Sequence, residues 1–288
     1  MTTREDTMQD YQRRIERVLR FIREHQSEPM RLKELAEVAC FSPFHFHRIF
    51  SAHAGETLSE YIRRLRLESS AERLCRTTDA VTEIALDAGY ATHGAFTKAF
   101  TQHFGRNPSS FRKTGKMDFV PGRLLMMSKQ KETEMKVQIR EIQEQAALAV
   151  RRTGAYDKAA EEAWKILCTY AGPKGLMGPK TKFIGISHDD PDQVAAENLR
   201  YDACITLSRD DKGSGDVKRL TIGGGRYAVT VHAGPFEYLK KTYDGIYRDW
   251  LPSSGETLRD AACLEIYLND PDTTPPADLR TEVCIPLE

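Results

Sequence analysis

The sequence predicts two regions in series: an all-α region carrying two helix-turn-helix units, then an α+β region built as a duplicated (β-α-β-β)2 domain. Three observations carry this expectation. Apolar residues recur at helical spacing through residues 8–113. Within that stretch one arrangement of small and aromatic residues occurs twice, about fifty positions apart. From Lys136 the pattern changes to short strand-like runs, and that region matches itself at a shift of eighty.

The length of 288 residues suits two ordinary domains, each with its own core. The expected boundaries are 8–113 for the helical domain, 114–135 for a linker and 136–288 for the α+β domain. The linker stretch, TGKMDFVPGRLLMMSKQKETEM, lacks clean periodicity and holds Gly115, Pro121 and Gly122. No apolar run approaches the length of a membrane span, and the opening MTTREDTMQD is too polar for a secretory signal, so no membrane partner and a cytoplasmic location are expected. The six cysteines are scattered without a C-x-x-C pair. Neither a metal site, a cofactor nor a disulfide framework is expected from them. Net charge is zero, but residues 1–115 carry +3 and six of the eight histidines. That bias permits a polyanionic partner for the first region and does not by itself establish one.

The first helix is expected over 11–25, where Ile15, Val18, Leu19 and Ile22 share a face and Pro29 ends the run. In LKELAEVACFSPFHFHRIFSAHAG, residues 32–55, Leu32, Leu35 and Ala36 mark a short helix. Ala36 is small enough to let a second helix cross closely. Ser42-Pro43 then opens that second helix, with a capping residue followed by proline at the first helical position. Phe46, Ile49 and Phe50 turn inward, which leaves Phe44, His45, His47 and Arg48 to face outward near the helix N-terminus. The arrangement returns in IALDAGYATHGAFTKAFTQHFG, residues 84–105. Ala85 answers Ala36, Tyr90 answers Phe41, and Phe96, Phe100 and Gly105 answer Phe46, Phe50 and Gly55. Here Thr92 takes the cap position, and His93, Gly94, Thr97 and Lys98 take the outward face. A long arginine-rich helix, 58–74, joins the units and is stiff enough to hold two recognition helices roughly 34 Å apart, one turn of DNA. An outward arginine suits guanine, whose O6 and N7 accept two parallel N–H bonds worth about 1–3 kcal/mol of discrimination. The competing reading of Phe44 is packing against the first helix; that of the polar residues is a solvated face.

These residues resemble the AraC/XylS family of bacterial transcription regulators. The likeness rests on IALDAGYATHGAFTKAFTQHFGRNPSSFRK, residues 84–113, through Ala85, Gly89, Tyr90, Phe96, Phe100, Phe104, Gly105, Pro108, Phe111 and Arg112. It covers roughly 8–113. It implies base contacts from Phe44, His47 and Arg48 in the first unit and from His93, Thr97 and Lys98 in the second. Gly94 and Thr101 stand where relatives often carry polar or basic residues. The resemblance further implies double-stranded DNA and RNA polymerase as partners, activation as the usual outcome, and either a monomer or a dimer.

In the second region, strands are expected at 137–141, 146–153, 183–188, 201–207, 226–232, 263–268 and 281–287, with helices at 157–170 and 236–250. The segment 189–207 precedes 269–287 by eighty positions, and Asp190, Pro191, Asp192, Leu199, Arg200, Cys204, Ile205 and Leu207 recur unchanged in the second copy. A duplication of this kind buries a seam between its halves, a natural place for a pocket. At the same shift Glu265 replaces Gly185 and Tyr267 replaces Ser187. Along ACLEIYL, Cys263, Glu265 and Tyr267 share one face and Leu264, Ile266 and Leu268 the other. A carboxylate in such a strand is costly to bury unless it is paired. Either a structural cation such as Arg226 or Arg280 meets Glu265, or the carboxylate awaits a ligand. An organic cation would suit it, since aromatic walls add ~0.5–2 kcal/mol each through cation–π contact. Candidate walls are Trp164, Tyr156, His232, Phe236, Tyr267 and Trp250, with ordinary core packing as the competing reading of each.

Residues 136–288 resemble the GyrI-like, or Rob-type, effector-binding domain. The carrying segments are GISHDDP (185–191), RYDACITL (200–207), YAVTVHAGPFEYL (227–239) and CLEIYLNDPDTTPPADLRTEVCIPL (263–287). The resemblance implies a small-molecule effector and gives Glu265 the role of the pocket's charged residue; Cys263 departs mildly from the family pattern. It leaves two other functions open. One is hydrolysis of small electrophiles, with Glu265 as general base beside Tyr267 or Trp164. The other is a protein-interaction module. The triplet 223–225 (GGG) precedes a strand and reads as a turn, not a phosphate loop.

Overall fold

The computed structural model describes residues 4–26, 28–115, 135–189 and 194–288, with backbone alone for 4–8 and Phe44. The expected linker falls almost wholly outside these residues, as do Asp190, Pro191 and Asp192 of the repeat. Among the described residues seven helices come first: α1 (Arg4–Glu24), α2 (Leu32–Val38), α3 (Pro43–Ala54), α4 (Leu58–Arg76), α5 (Val81–Asp87), α6 (His93–Phe104) and α7 (Pro108–Thr114). The inward residues are those the spacing selects: Ile15, Val18, Leu19 and Ile22 on α1, Phe46, Ile49 and Phe50 on α3, and Phe96 and Phe100 on α6. No described helix is long and apolar enough to cross a membrane.

The two helix-turn-helix turns are superposable in their bonds. The Phe41 N–H donates to the Ala36 carbonyl at 2.9 Å, and the Tyr90 N–H donates to the Ala85 carbonyl at 3.0 Å. Each turn passes through a left-handed residue, Gly89 at φ 80° in the second and Cys40 at φ 53° in the first. A β-carbon is disfavoured there, so the first turn carries strain the second avoids. The caps also differ. Thr92 Oγ1 accepts from the Ala95 N–H at 3.1 Å. Ser42, expected to cap α3, makes no such bond, and its buried Oγ lacks a partner among the described residues. Helix α4 begins with a reciprocal cap between Thr57 and Glu60. Its arginines are mostly structural. Arg64 clamps Glu56 and Glu68 at 2.6 and 2.9 Å. Arg66 donates to the carbonyls of Gln26 and Glu28, and Arg73 gathers Asp79, Glu83 and Asp87.

The second region is one eight-stranded antiparallel sheet. Its elements are β1 (Gln138–Ile142), β2 (Gln145–Thr153), α8 (Tyr156–Ala171), β3 (Phe183–Ser187), β4 (Arg200–Thr206), β5 (Val217–Ile222), β6 (Gly225–Ala233), α9 (Leu239–Gly245), α10 (Leu251–Ser254), β7 (Leu264–Tyr267) and β8 (Arg280–Pro286). Each half thus reads β-β-α-β-β: the first has the two leading strands expected at 137–141 and 146–153, and the second gains β5, which the expectation omits. Of its residues VKRLTI only Val217 and Ile222 are buried, and the exposed Lys218 and Arg219 blur the apolar signal at this edge. The order β1-β6-β8-β7-β3-β4-β2-β5 reads the same from either end once the halves are exchanged. Each half lends its first strand to the other: β1 pairs with β6, and β5 with β2. The halves meet where β3 pairs with β7, and there Gly185 lies directly opposite Glu265, its own counterpart in the repeat. The expected helix at 236–250 is not continuous. A 3-10 turn (Phe236–Tyr238) leads into α9, a π turn (Ile246–Trp250) follows, and α10 completes it.

The first helical unit does not stand apart from the sheet. One buried cluster runs from Tyr11 and Ile15 on α1 and Ile49 on α3 to Ile246, Tyr247, Leu251, Cys263 and Ile285. Each such side chain contributes about 1.5–3 kcal/mol when fully buried. The second unit instead has a core of its own, built from Leu67, Ala71, Leu74, Ile84, Ala85, Phe96, Phe100 and Phe111.

Candidate nucleic-acid and effector sites

The two recognition helices present different surfaces. On α6, His93, Gly94 and Lys98 are exposed and Thr97 is half-buried, near the helix N-terminus where backbone N–H groups favour anions. On α3 the expected outward residues are turned into the molecule. His45 is 0% exposed, His47 is buried and Arg48 is half-buried. The side chain of Phe44 lies outside the described atoms. The expectation that His45, His47 and Arg48 face outward is therefore corrected. Helix α3 lies against α9 and the π turn, and covering their apolar side chains covers its own polar edge as well.

The contacts made there are specific. The His45 Nε2–H donates to the Arg259 carbonyl at 3.0 Å, which leaves Nδ1 to accept from the Tyr247 hydroxyl at 2.8 Å. Burial lowers the His45 pKa to about 4 and that of His47 to about 3, so both rings are neutral near pH 7. The Arg48 guanidinium lies over the Tyr243 ring, 4.1 Å from its centroid, and donates to Cys263 Sγ at 3.1 Å. Burial raises the Cys263 pKa, so this partner is a neutral thiol.

Glu265 sits in the seam at 6% exposure. The Tyr243 hydroxyl donates to Oε1 at 3.0 Å, and the Tyr267 hydroxyl lies 3.4 Å from Oε2. A chain of donors leads to the carboxylate from the other half: Trp164 Nε1–H to the Tyr201 hydroxyl at 3.0 Å, and Tyr201 to Tyr267 at 3.0 Å. Gly185 makes room for them, because a β-carbon there would collide with both hydroxyls. Desolvation raises the Glu265 pKa; the charge of Arg48 and the tyrosine hydroxyls pull it back. The alternating faces of β7 are as expected for Cys263, Glu265 and Tyr267 against Leu264 and Ile266, which enter the core on the opposite side of the sheet.

Neither expected cation serves Glu265. Arg226 pairs with Glu256, and Arg280 donates to the carbonyls of Ala277 and Leu279. Arg48, more than two hundred positions away in sequence, acts on it through its charge, and the two form no ion pair among the described residues. Among the expected walls, Trp164 and Phe236 do approach Tyr267, with centroids 5.9 and 5.3 Å away. Phe236 is 38% exposed and lies at the rim. Tyr156 is pinned through its hydroxyl to the backbone of Asp189. His232 spends both ring nitrogens on Thr242 and the Pro235 carbonyl. Trp250 packs on the core shared with α1 and α3. Tyr243, Tyr247 and Tyr201 are absent from the sequence reading, which names Gly185 only as the counterpart of Glu265. The repeat carried a signal for the first two, because at the shift of eighty Tyr243 and Tyr247 replace Ala163 and Leu167 on one helix face.

Two family models match the chain: a helix-turn-helix domain over residues 35–114 and a GyrI-like small molecule binding domain over 135–288. The probable transcriptional regulator YgiV of Escherichia coli is 37% identical over 110 residues, which are 38% of this chain and 68% of that protein. The regulatory protein SoxS of Salmonella typhimurium is 32% identical over 102 residues, 35% of this chain and 95% of that protein. A DNA gyrase inhibitor of Erwinia billingiae is 29% identical over 140 residues, 47% of this chain and 88% of that one. The chain therefore belongs to the GyrI-like small-molecule-binding family, and it is a transcription regulator of the AraC type in which that domain follows a DNA-binding helix-turn-helix region.

Proposed function

We propose that this regulator is a cytoplasmic activator, with a DNA-reading domain over 8–113 and an effector domain over 136–288, controlled by a small amphipathic organic cation bound at Glu265. The observation that carries the effector reading is the seam itself. A buried carboxylate is ringed by tyrosine hydroxyls and faces, and a cation already rests on one of those rings. Leaving such a carboxylate without a positive partner is costly in a low-dielectric setting, and a ligand cation relieves that cost. His93, Thr97 and Lys98 reach DNA from α6, whose exposed edge is supported by its own core. Contact with RNA polymerase follows from activation. Equilibrium dialysis of the full chain against benzylguanidinium and its neutral isostere benzylurea tests the reading. The cation is expected to bind and the isostere to fail. The Glu265→Gln variant is expected to lose about tenfold or more, as for a charge-assisted contact. Equal binding of both compounds would remove charge as the basis of recognition.

A second reading, hydrolysis of small electrophiles, is favoured by the Glu265 carboxyl, whose pKa is raised by burial beside the Tyr267 hydroxyl. It predicts turnover of a reactive aryl ester by the wild type that Glu265→Gln abolishes. Equal turnover by the two proteins would remove it.

A further inference from the structure

We infer that Arg48 of the first recognition helix is an internal stand-in for the cationic effector, so that a docked α3 and an occupied seam exclude one another. The inference rests on the proposed effector reading and adds how occupancy reaches DNA. Three observations carry it.

The first is what occupies the cation's place. Arg48 comes from the DNA-reading region, yet its guanidinium lies on the Tyr243 ring whose hydroxyl holds Glu265 Oε1. Ring face and carboxylate together make up a cation site, and a residue implied to read bases fills it. The second is the chemistry of the interface. A permanent apolar contact would have little use for a guanidinium held by a neutral thiol or for two buried imidazoles. His47 Nδ1 is buried with no hydrogen-bond partner among the described residues. Groups of this kind are costly in an interior and at home in a DNA groove. The third is the contrast with α6. It keeps the same polar edge in the open over a self-sufficient core, so nothing in the helix-turn-helix itself requires that edge to be covered.

The coupling follows directly. While α3 is docked, the Arg48 guanidinium covers the face of Tyr243, whose hydroxyl holds Glu265, and the first unit cannot enter a groove. An effector cation that takes the Tyr243 face displaces Arg48, and α3 is released with its base-reading edge free. The apparent dissociation constant for DNA is the intrinsic one divided by the undocked fraction, so the shift an effector produces is bounded by its preference for the undocked chain.

Cys263 reports docking, because it is buried beneath Arg48 and His45's partner Tyr247. Cys204 and Cys284, buried within the sheet, serve as internal controls for unfolding. The experiment measures alkylation of each thiol by peptide mass spectrometry in the full chain. It is run alone, with benzylguanidinium, and with a duplex selected from a randomised pool. In the wild type Cys263 is expected to be protected. Benzylguanidinium and saturating duplex are each expected to speed its alkylation about tenfold, with Cys204 and Cys284 unchanged. Tyr247→Phe, which removes the hydroxyl bonded to His45, is expected to expose Cys263 without ligand and to tighten duplex binding severalfold. Saturating duplex that leaves Cys263 as protected as in the free chain would overturn the inference, because α3 then stays docked while α6 reads alone. Bound benzylguanidinium with Cys263 still protected would also overturn it while leaving the effector reading intact. Absence of any benzylguanidinium binding would instead remove the effector reading, and the inference with it.

Discussion

The two recognition helices are close relatives in sequence and opposites in placement. Helix α3 shares a core with the sheet, and its polar edge is interior; α6 rests on a private core, and its polar edge is in solvent. They differ in what lies beside them more than in what they are. A helix-turn-helix unit fixes its own inward face through Phe46 and Phe50 or Phe96 and Phe100. Its outward face is left to whichever surface is available. For α3 that surface is the one helix of the repeat that gained Tyr243 and Tyr247.

The largest effects test whether the cores are as separate as this contrast requires. Phe100→Ala is expected to cost about 3–5 kcal/mol and to loosen only α4 to α7, and Phe50→Ala to cost as much but to lower protection in α9 and α10 as well. Amide hydrogen exchange distinguishes them, and the same pattern from both variants would break the comparison.

The next effect is pH. His45 and His47 have folded pKa values below the unfolded one, so their contribution is complete above about pH 6.5 and is lost as pH falls toward the folded values of about 4 and about 3. His53 is shifted in the same direction, whereas Glu265, whose pKa is raised, gains as pH falls. His45 faces Tyr247, Arg48, Arg259 and Asp260, and His47 faces Arg48, His45 and Lys240. Stability is expected to drop on the order of 2–3 kcal/mol between pH 7 and pH 5. A His45→Asn, His47→Gln variant should be flatter over that window in thermal unfolding. A wild type as flat as the variant would show the imidazoles to be solvated.

Smaller still, Lys98→Ala is expected to weaken binding to a selected duplex by about 1–3 kcal/mol, measured by fluorescence anisotropy. An unchanged affinity would move DNA reading off α6. The smallest effect sharpens the comparison of the turns. Cys40→Gly, which gives the first turn the residue the second already has, is expected to stabilise by about 0.5–1 kcal/mol in denaturant unfolding. A loss of stability there would mean that the thiol matters more than the backbone strain.

Much of the fold could be read in advance because its causes are local. The inward phenylalanines, the Gly89 and Gly105 turns and the Thr92 cap each follow from residues within one or two turns of chain. In the sheet the repeat did the same work, placing Gly185 and Glu265 as counterparts before either was seen to face the other. Strand β5 is hard to read because the adjacent charges Lys218 and Arg219 break the apolar pattern of an edge strand. The seam's carboxylate was found from its misfit in an apolar strand, but its partners were not. Arg226 and Arg280 were nearer in sequence and still went elsewhere.

By itself the sequence determined the two helix-turn-helix units, the duplicated sheet and the odd carboxylate at its centre, since periodicity, turn chemistry and repetition are properties of neighbouring residues. Only the tertiary structure decided that α3 is covered, that Arg48 rests on Tyr243, and that His45 is bonded to Tyr247. Those contacts join residues some two hundred positions apart. They depend on how two apolar surfaces meet, and no local pattern encodes that.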